Sequence, residues 1–364
     1  MPPLASGFTL PGLGWDGGWA AAFTSFTESS SFDDHLAGRV ARVDKSACTV
    51  LTEQGELRAE YGREVPSVGD WAAVRAGSSG VAPRLDAVLP RRTAIVRGGV
   101  SRADSRSGLS GDSSGHVLAA NVDVVYIAEP AAPDTDLGRI ERLLALAWES
   151  GAQPVVLVTK ADLAASLPDL LAAVTEAAPG AEVHAVSALE GTGLEPVRLA
   201  AGRTAVLLGP SGAGKSTLVN ALAGTPVMET GRVRAADGRG RHTTTHRELH
   251  VLDGGGLLID TPGLRRIGLA DDTGEGLAQA FADVEELAAG CRFADCAHDT
   301  EPGCAVLAAV ESGDLPERRL ASWRKLRREA AWMAGRSDAR VRAERNRQWR
   351  IIHKEIRRSG RNRP

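Results

Sequence analysis

Aromatic residues are scarce in this 364-residue chain, at 4%, and only four cysteines and three methionines occur. So few cysteines in so long a chain exclude a disulfide-stapled scaffold. No run approaches eighteen consecutive apolar residues, which excludes a membrane-spanning helix. The opening MPPLASGFTLPGLG lacks the basic segment followed by an apolar stretch that marks a secretory signal, so a cytoplasmic location is the expectation. Charge of one sign is not in excess either, with 43 Lys and Arg against 46 Asp and Glu. Gly and Pro, 41 and 18 residues, sit near average usage, which argues against collagen-like or wholly disordered character. What is present, 43% apolar residues, suits two or three globular units, each able to bury a core.

The balanced charge conceals a segregation. From Pro316 to Pro364 there are 17 Lys and Arg against 5 Asp and Glu, a net of +12, so the preceding 315 residues carry −15. A basic tail on an acidic body can attract nucleic acid by neutralising phosphates; a solvated helical face is the plainer reading of the same charges.

Five segments follow from the patterning. Residues 1–34, rich in Gly, Ser, Phe and Trp, read as a loosely ordered extension, in which Trp15, Trp19, Phe23 and Phe26 could dock as a short amphipathic piece. Residues 35–97 alternate in polarity over short runs and read as a small β-barrel of the oligonucleotide-binding (OB) type. Residues 98–118, with the serine-rich stretch GGVSRADSRSGLSGDSSG, read as a flexible linker. Over 119–268, apolar runs such as VDVVYIAE, PVVLVTK, TAVLLG and GLLID alternate with helical patterns, the signature of a doubly wound α/β sheet. Residues 269–364 read as helical, interrupted by a Cys/His cluster and ending in the basic tail.

The α/β segment carries the chemistry. Gly209-Pro210-Ser211-Gly212-Ala213-Gly214-Lys215-Ser216 fits G-x-x-x-x-G-K-[ST] and stands between an apolar strand and a helical pattern. Glycines let backbone N–H groups converge on phosphate oxygens; Thr217 continues the loop, Lys215 reaches the terminal phosphates, and Ser216 is placed to ligate Mg²⁺. Asp260-Thr-Pro-Gly263 follows the strand Leu257–Ile259, where Asp260 can hold the Mg²⁺ shell and Gly263 can offer its N–H to a γ-phosphate. Between them, in a Gly/Arg-rich switch segment, lie His242, Thr243 and Thr244, one threonine being a candidate Mg²⁺ ligand. His242 is a candidate to orient the attacking water, with a loop-structuring role as the alternative.

Guanine demands an acceptor for its N1–H and exocyclic amine and a donor for its O6. Thr159-Lys160-Ala161-Asp162 resembles the N/T-K-x-D motif, in which the carboxylate is that acceptor, and Ser187-Ala188 resembles its companion, whose backbone N–H faces O6. Both stand at predicted strand ends. Both also precede the phosphate loop, the reverse of the ordinary order, as expected if the same sheet is assembled with a permuted connection. Further on, Cys291, Cys296, His298 and Cys304 supply three thiolates and an imidazole, enough to close a tetrahedral Zn²⁺ shell; reduced, partly buried cysteines are the alternative.

Taken together, this order and the segments GPSGAGKST, GRGRHTTTHREL, LIDTPGLR and CRFADCAHDTEPGC resemble the circularly permuted GTPases of the ribosome-small-subunit-dependent GTPase A (RsgA) family, over about residues 35–310. The resemblance implies an N-terminal OB-like barrel, a permuted P-loop GTPase domain and a C-terminal helical domain holding one structural zinc ion. It implies GTP and GDP with Mg²⁺ as ligands, and the small ribosomal subunit and its rRNA as partners of a monomeric, membrane-free late assembly factor. Two positions depart from common GTPase patterns: Thr159 replaces an asparagine that bridges to the phosphate loop, and Leu264 stands where many GTPases place a water-orienting glutamine. Two other functions stay open on sequence: an RNA-binding scaffold with GTP as a structural ligand, and an ATP-dependent P-loop ATPase, against which stands the absence of an LSGGQ-like signature.

Overall fold

The structure is a computed structural model that describes residues 8–32, 34–77, 81–97, 116–226, 247–260 and 274–337. Strands β1 (His35–Val43), β2 (Ala47–Thr52), β3 (Gly55–Tyr61), β4 (Trp71–Arg75) and β5 (Arg84–Val88) run in the order β1-β2-β3-β5-β4, and β4 pairs back onto β1. The ring is closed by that pairing, and β3 meets β5 in parallel while the other contacts are antiparallel. The alternation seen in sequence has its cause here: Val40, Cys48, Val50, Ala59, Ala72, Val74 and Leu85 point inward and fill the barrel. Cys48 is therefore a core side chain, and burial pushes its thiol up to about 12.

A short hairpin of β6 (Ala94–Arg97) and β7 (His116–Ala120) follows. It revises the expected linker, because residues 116–118 belong to β7 and the two flanks of the serine-rich stretch pair with each other. Residues 98–115 lie outside the described residues.

The α/β unit contains β8 (Val124–Pro130), β9 (Gln153–Thr159), β10 (Glu182–Val186), β11 (Thr204–Leu208), β12 (Glu248–Val251) and β13 (Leu257–Asp260), in the order β10-β9-β8-β11-β13-β12. All pair in parallel except β12, which runs antiparallel to β13 and meets the barrel through Glu248 and Arg42. Alternate residues serve opposite faces. Val125, Ile127, Val156 and Val158 pack with α2 (Leu137–Glu149), whereas Tyr126, Ala128, Val155 and Leu157 join the core under α4 (Lys215–Ala223). The helix α3 (Leu167–Ala177) lies beside β10.

Beyond the sheet come α5 (Gly274–Ala280), α6 (Ala282–Ala288), α7 (Ala305–Ser312) and α8 (Glu317–Ser337). Their junction with the α/β unit is a buried ion network. Arg319 of α8, with no exposed surface, donates to Glu141 of α2 at 2.9 Å, to Asp283 of α6 at 2.8 Å and to the Ala280 carbonyl at 2.6 Å. Arg142 and Glu329 form a second α2–α8 pair.

The N-terminal segment departs from the expected loose extension. After a 3₁₀ turn at Pro11–Leu13, α1 (Gly17–Ser29) is capped by Asp16, whose carboxylate accepts from the amides of Gly18 and Trp19. Leu13 and Trp19 are buried, and Trp15 stands edge-on to Trp71 of the barrel at 4.7 Å. The scarce aromatics are concentrated at this junction, and their burial is what orders the segment. Among the described residues no helix is long and apolar enough to cross a membrane.

Candidate functional site

β11 delivers the chain into the glycine loop Gly209–Gly214, and α4 starts at Lys215. Gly209, Gly212 and Gly214 all have positive φ, at 145°, 84° and 79°. At Gly209 the demand is also steric: a Cβ there would lie 2.2 Å from the Ala128 carbonyl of neighbouring β8, so only glycine lets the loop leave the sheet at this angle. Ala213 is buried, Ser211 is exposed, and Ser216 and Thr217 sit half-buried on the first turn of α4. Lys215 folds back over the loop, its Nζ donating to the carbonyls of Gly209 at 3.0 Å and Pro210 at 2.7 Å. The loop amides and the positive end of α4 thus share one concavity suited to an anion.

Two strands away, β9 ends at Thr159. This residue is buried, and its hydroxyl donates to the Ala213 carbonyl at 2.7 Å, reaching across the end of β8 to hold the glycine loop. Lys160 adopts a left-handed conformation at φ 55°, and its stem passes within van der Waals range of where a Cβ on Gly214 would stand. The following turn, Ala161–Leu163, leaves Asp162 exposed. At the end of β10, Ser187 is buried and exchanges backbone hydrogen bonds with Thr192 at 3.0 and 3.1 Å, while its hydroxyl accepts from the Glu190 amide at 3.3 Å. That tight loop fixes the backbone of half-buried Ala188. Asp260 ends β13 in register with Leu207 of β11 and is buried.

All these positions lie at the carboxyl ends of parallel strands, along one edge of the sheet, where open α/β sheets bind ligands. Gly263, His242, Thr243 and Thr244 lie outside the described residues. Sequence reading passed over Glu129, a fully buried carboxylate at this same edge that accepts from Arg139 at 2.6 and 2.8 Å and from the Asp136 amide. It anchors the β8–α2 turn beside the glycine loop; its signal was an acidic residue closing an otherwise apolar run.

The four zinc candidates converge. The ligating atoms of Cys291, Cys296, His298 and Cys304 lie within 4.8 Å of one another, with Cys291 Sγ 3.5 Å from His298 Nδ1 and 3.8 Å from Cys304 Sγ. A tetrahedron with Zn–S bonds of about 2.3 Å has S···S edges of about 3.8 Å, so the donor set fits that ion. The loop that presents them is built locally: His298 is left-handed at φ 56°, Cys304 caps α7, and the Glu301 carboxylate accepts from the amides of Ala297 and Asp299. Those amides hold Glu301 down to about 2. The ring of His298 packs 5.3 Å from Trp323 and its carbonyl accepts from Arg324, which ties the cluster to α8.

Comparison with known proteins matches residues 88–270 to the model of the RsgA GTPase family. The chain belongs to that family. A Streptomyces coelicolor protein named small ribosomal subunit biogenesis GTPase RsgA is 50% identical over 96% of this chain and 93% of its own length. A protein of the same name from Opitutus terrae is 44% identical over 95% of this chain and 96% of its length. Among solved structures, YjeQ from Thermotoga maritima superposes with a TM-score of 0.59 at 25% identity, covering 81% of this chain and 98% of that one. The circularly permuted GTPase YloQ gives 0.57 at 24% identity, which speaks to the fold. Barrel, permuted RsgA-type sheet and C-terminal Cys/His module accordingly agree with the fold class expected from sequence.

Proposed function

We propose that this chain is a GTP hydrolase of small ribosomal subunit biogenesis whose nucleotide state governs its association with the subunit. Membership in the RsgA family supports the activity, and the Thr159–Ala213 hydrogen bond is the observation that supports its placement, since it joins a guanine-reading strand end to the phosphate loop despite their inverted order in the chain.

In this reading the amides of Gly209–Gly214 and the ammonium of Lys215 receive the phosphates. Asp162 accepts from the guanine N1–H and exocyclic amine, the Ala188 backbone serves O6, and the stem of Lys160 lies along the base. Mg²⁺, when bound, neutralises charge on the phosphates; Ser216 on α4, buried Asp260 and one of Thr243 or Thr244 are its ligands. Gly263 senses the γ-phosphate, and His242 orients water in place of the glutamine that Leu264 replaces. With no such glutamine, hydrolysis is slow until subunit contacts order the switch segments. Cys291, Cys296, His298 and Cys304 hold one structural zinc ion, a closed shell without a position for water.

The barrel, the zinc module and the basic tail contact rRNA. α8 leaves Lys325, Arg327 and Arg328 exposed, cations suited to phosphates, while exposed Arg318 is paired with Glu141. The protein acts as a cytoplasmic monomer. Turnover of GTP measured alone and with purified small subunits tests the reading: stimulation of about tenfold or more is expected, and equal rates overturn it.

A further inference from the structure

Asp162, the carboxylate that reads guanine in the proposed function, is exposed. In open solvent, water competes for a carboxylate, so its hydrogen bonds discriminate among bases only where water is kept off them. Within that reading the stem of half-buried Lys160 covers one face of the base, and its Cε lies 3.9 Å from where a Cβ on Gly214 would stand. The opposite face needs a cover of its own.

Two leucines stand at this edge of the sheet. β9 and β10 pair in parallel with Thr159 opposite Val186, so the turns that carry Asp162 and Ala188 leave the sheet about 5 Å apart. Leu163 follows Asp162 and is 59% exposed; Leu189 follows Ala188 and is 83% exposed, more than any other large hydrophobic side chain among the described residues. Single exposed leucines are ordinary on a protein surface, but these two occupy neighbouring turns, an apolar pair beside an exposed carboxylate. The loop that presents Leu189 is tied down on its own. Ser187 and Thr192 exchange backbone hydrogen bonds at 3.0 and 3.1 Å, and at Gly193, with φ 71°, a Cβ would lie 2.0 Å from the Ala185 carbonyl, so the chain turns back against β10 on a glycine. Ala188 packs on the core beneath α4, and the next side chain, Leu189, stands out in solvent. These ties are made by backbone and by Ala188, so none of them requires a leucine at 189.

We propose that Leu189 is a specificity-determining residue of the nucleotide site, an inference that rests on the guanine-binding reading above: its side chain closes over the face of guanine opposite Lys160 and keeps water from the hydrogen bonds between Asp162 and the base. Burying the leucine against the ring stabilises any purine nucleotide. Excluding water strengthens only the bonds that the carboxylate makes, and so favours guanine over a base that lacks the exocyclic amine.

The test uses the full-length, zinc-loaded protein and measures Kd for GDP and for IDP, whose base lacks the exocyclic amine, by competition against a fluorescent guanine nucleotide. Leu189→Ser, at an exposed position that the loop does not need for its shape, should weaken GDP about tenfold and IDP about threefold, so that the preference for GDP falls about threefold. Leu189→Met, which restores apolar bulk, should bring both constants back to within about twofold of the parent. GDP affinity unmoved by Leu189→Ser, or GDP and IDP weakened by the same factor, overturns the proposal. Unmoved nucleotide affinity with lost stimulation by small subunits overturns it too, and makes Leu189 a docking residue for the subunit. Asp162→Asn, measured alongside, separates the two levels. If it fails to exchange guanosine for xanthosine preference, the guanine-binding reading falls and this proposal with it; if it succeeds while Leu189→Ser does nothing, the role of Leu189 alone falls.

Discussion

The hydroxyl of Thr159 donates to the carbonyl of Ala213 at 2.7 Å, across 54 positions of sequence and across the end of β8. An asparagine at this position bridges to the phosphate loop in many GTPases; here the shorter threonine makes the span to the carbonyl of buried Ala213. Thr159→Val keeps the shape and leaves the Ala213 carbonyl without its donor, a loss of about 1–3 kcal/mol. GDP affinity is expected to fall by about fivefold to a hundredfold on that basis, with guanine preference unchanged, in a titration with a fluorescent nucleotide. Asp162→Asn should do the opposite, exchanging preference from guanosine to xanthosine nucleotides, because an amide can donate to the carbonyl that replaces the exocyclic amine. A Thr159→Val protein with unaltered affinity would remove the bridge from the account.

The zinc module should answer to metal removal. Its ligands must be deprotonated to bind, so acid and chelators act in the same direction. Cys304→Ser, or exhaustive chelation, is expected to release about one zinc ion per chain and to expose the Cys291–Cys304 loop to proteolysis, while GDP affinity moves by less than about threefold because the two sites share no residue. Metal content by atomic emission and limited proteolysis check both halves.

Arg319 carries the junction between the C-terminal helices and α2. Replacing it by methionine leaves Glu141, fully buried, with only the surface cation Arg318 at 2.9 Å. A loss of about 3 kcal/mol is expected in urea unfolding. Adding Glu141→Gln should restore part of it, since the uncompensated charge is then gone; a double variant no more stable than Arg319→Met would show that the loss is packing alone.

At the other end of the chain, Asp16 both caps α1 and pairs with Arg92. The Arg92 guanidinium holds its carboxyl well below the usual carboxylate range. Both side chains of the pair are about half exposed, so the cap contributes most, about 1 kcal/mol. Because the folded-state value is depressed, this contribution is complete above the unfolded value near 4 and is lost as pH falls below it. The stability difference between the parent chain and Asp16→Ala should therefore be constant from pH 5 to 8 and smaller at pH 3, as urea titrations at those pH values will show.

Much of this protein is legible in its sequence. The glycine loop, the strand-end aspartates and the Cys/His spacing are local patterns, and their chemistry depends on residue type and short separations. β8, β9 and β11 were visible as apolar runs because strands covered on both faces are apolar throughout. α1 was legible only in part: the helical spacing of Trp15, Trp19, Phe23 and Phe26 marked a piece able to dock, but its order rests on Trp71, 56 residues beyond Trp15. β7 was hidden for a similar reason, its partner β6 lying beyond a serine-rich stretch.

Sequence alone determined the inventory of chemical groups, because motif spacing and residue chemistry are properties of neighbours along the chain. Tertiary structure alone decided which of them meet: that Thr159 reaches Ala213 rather than solvent, that Arg319 lies buried between two carboxylates, and that Trp71 packs against Trp15 and Arg39. Such encounters are set by sheet order and by burial, and these are fixed only when the whole chain has packed.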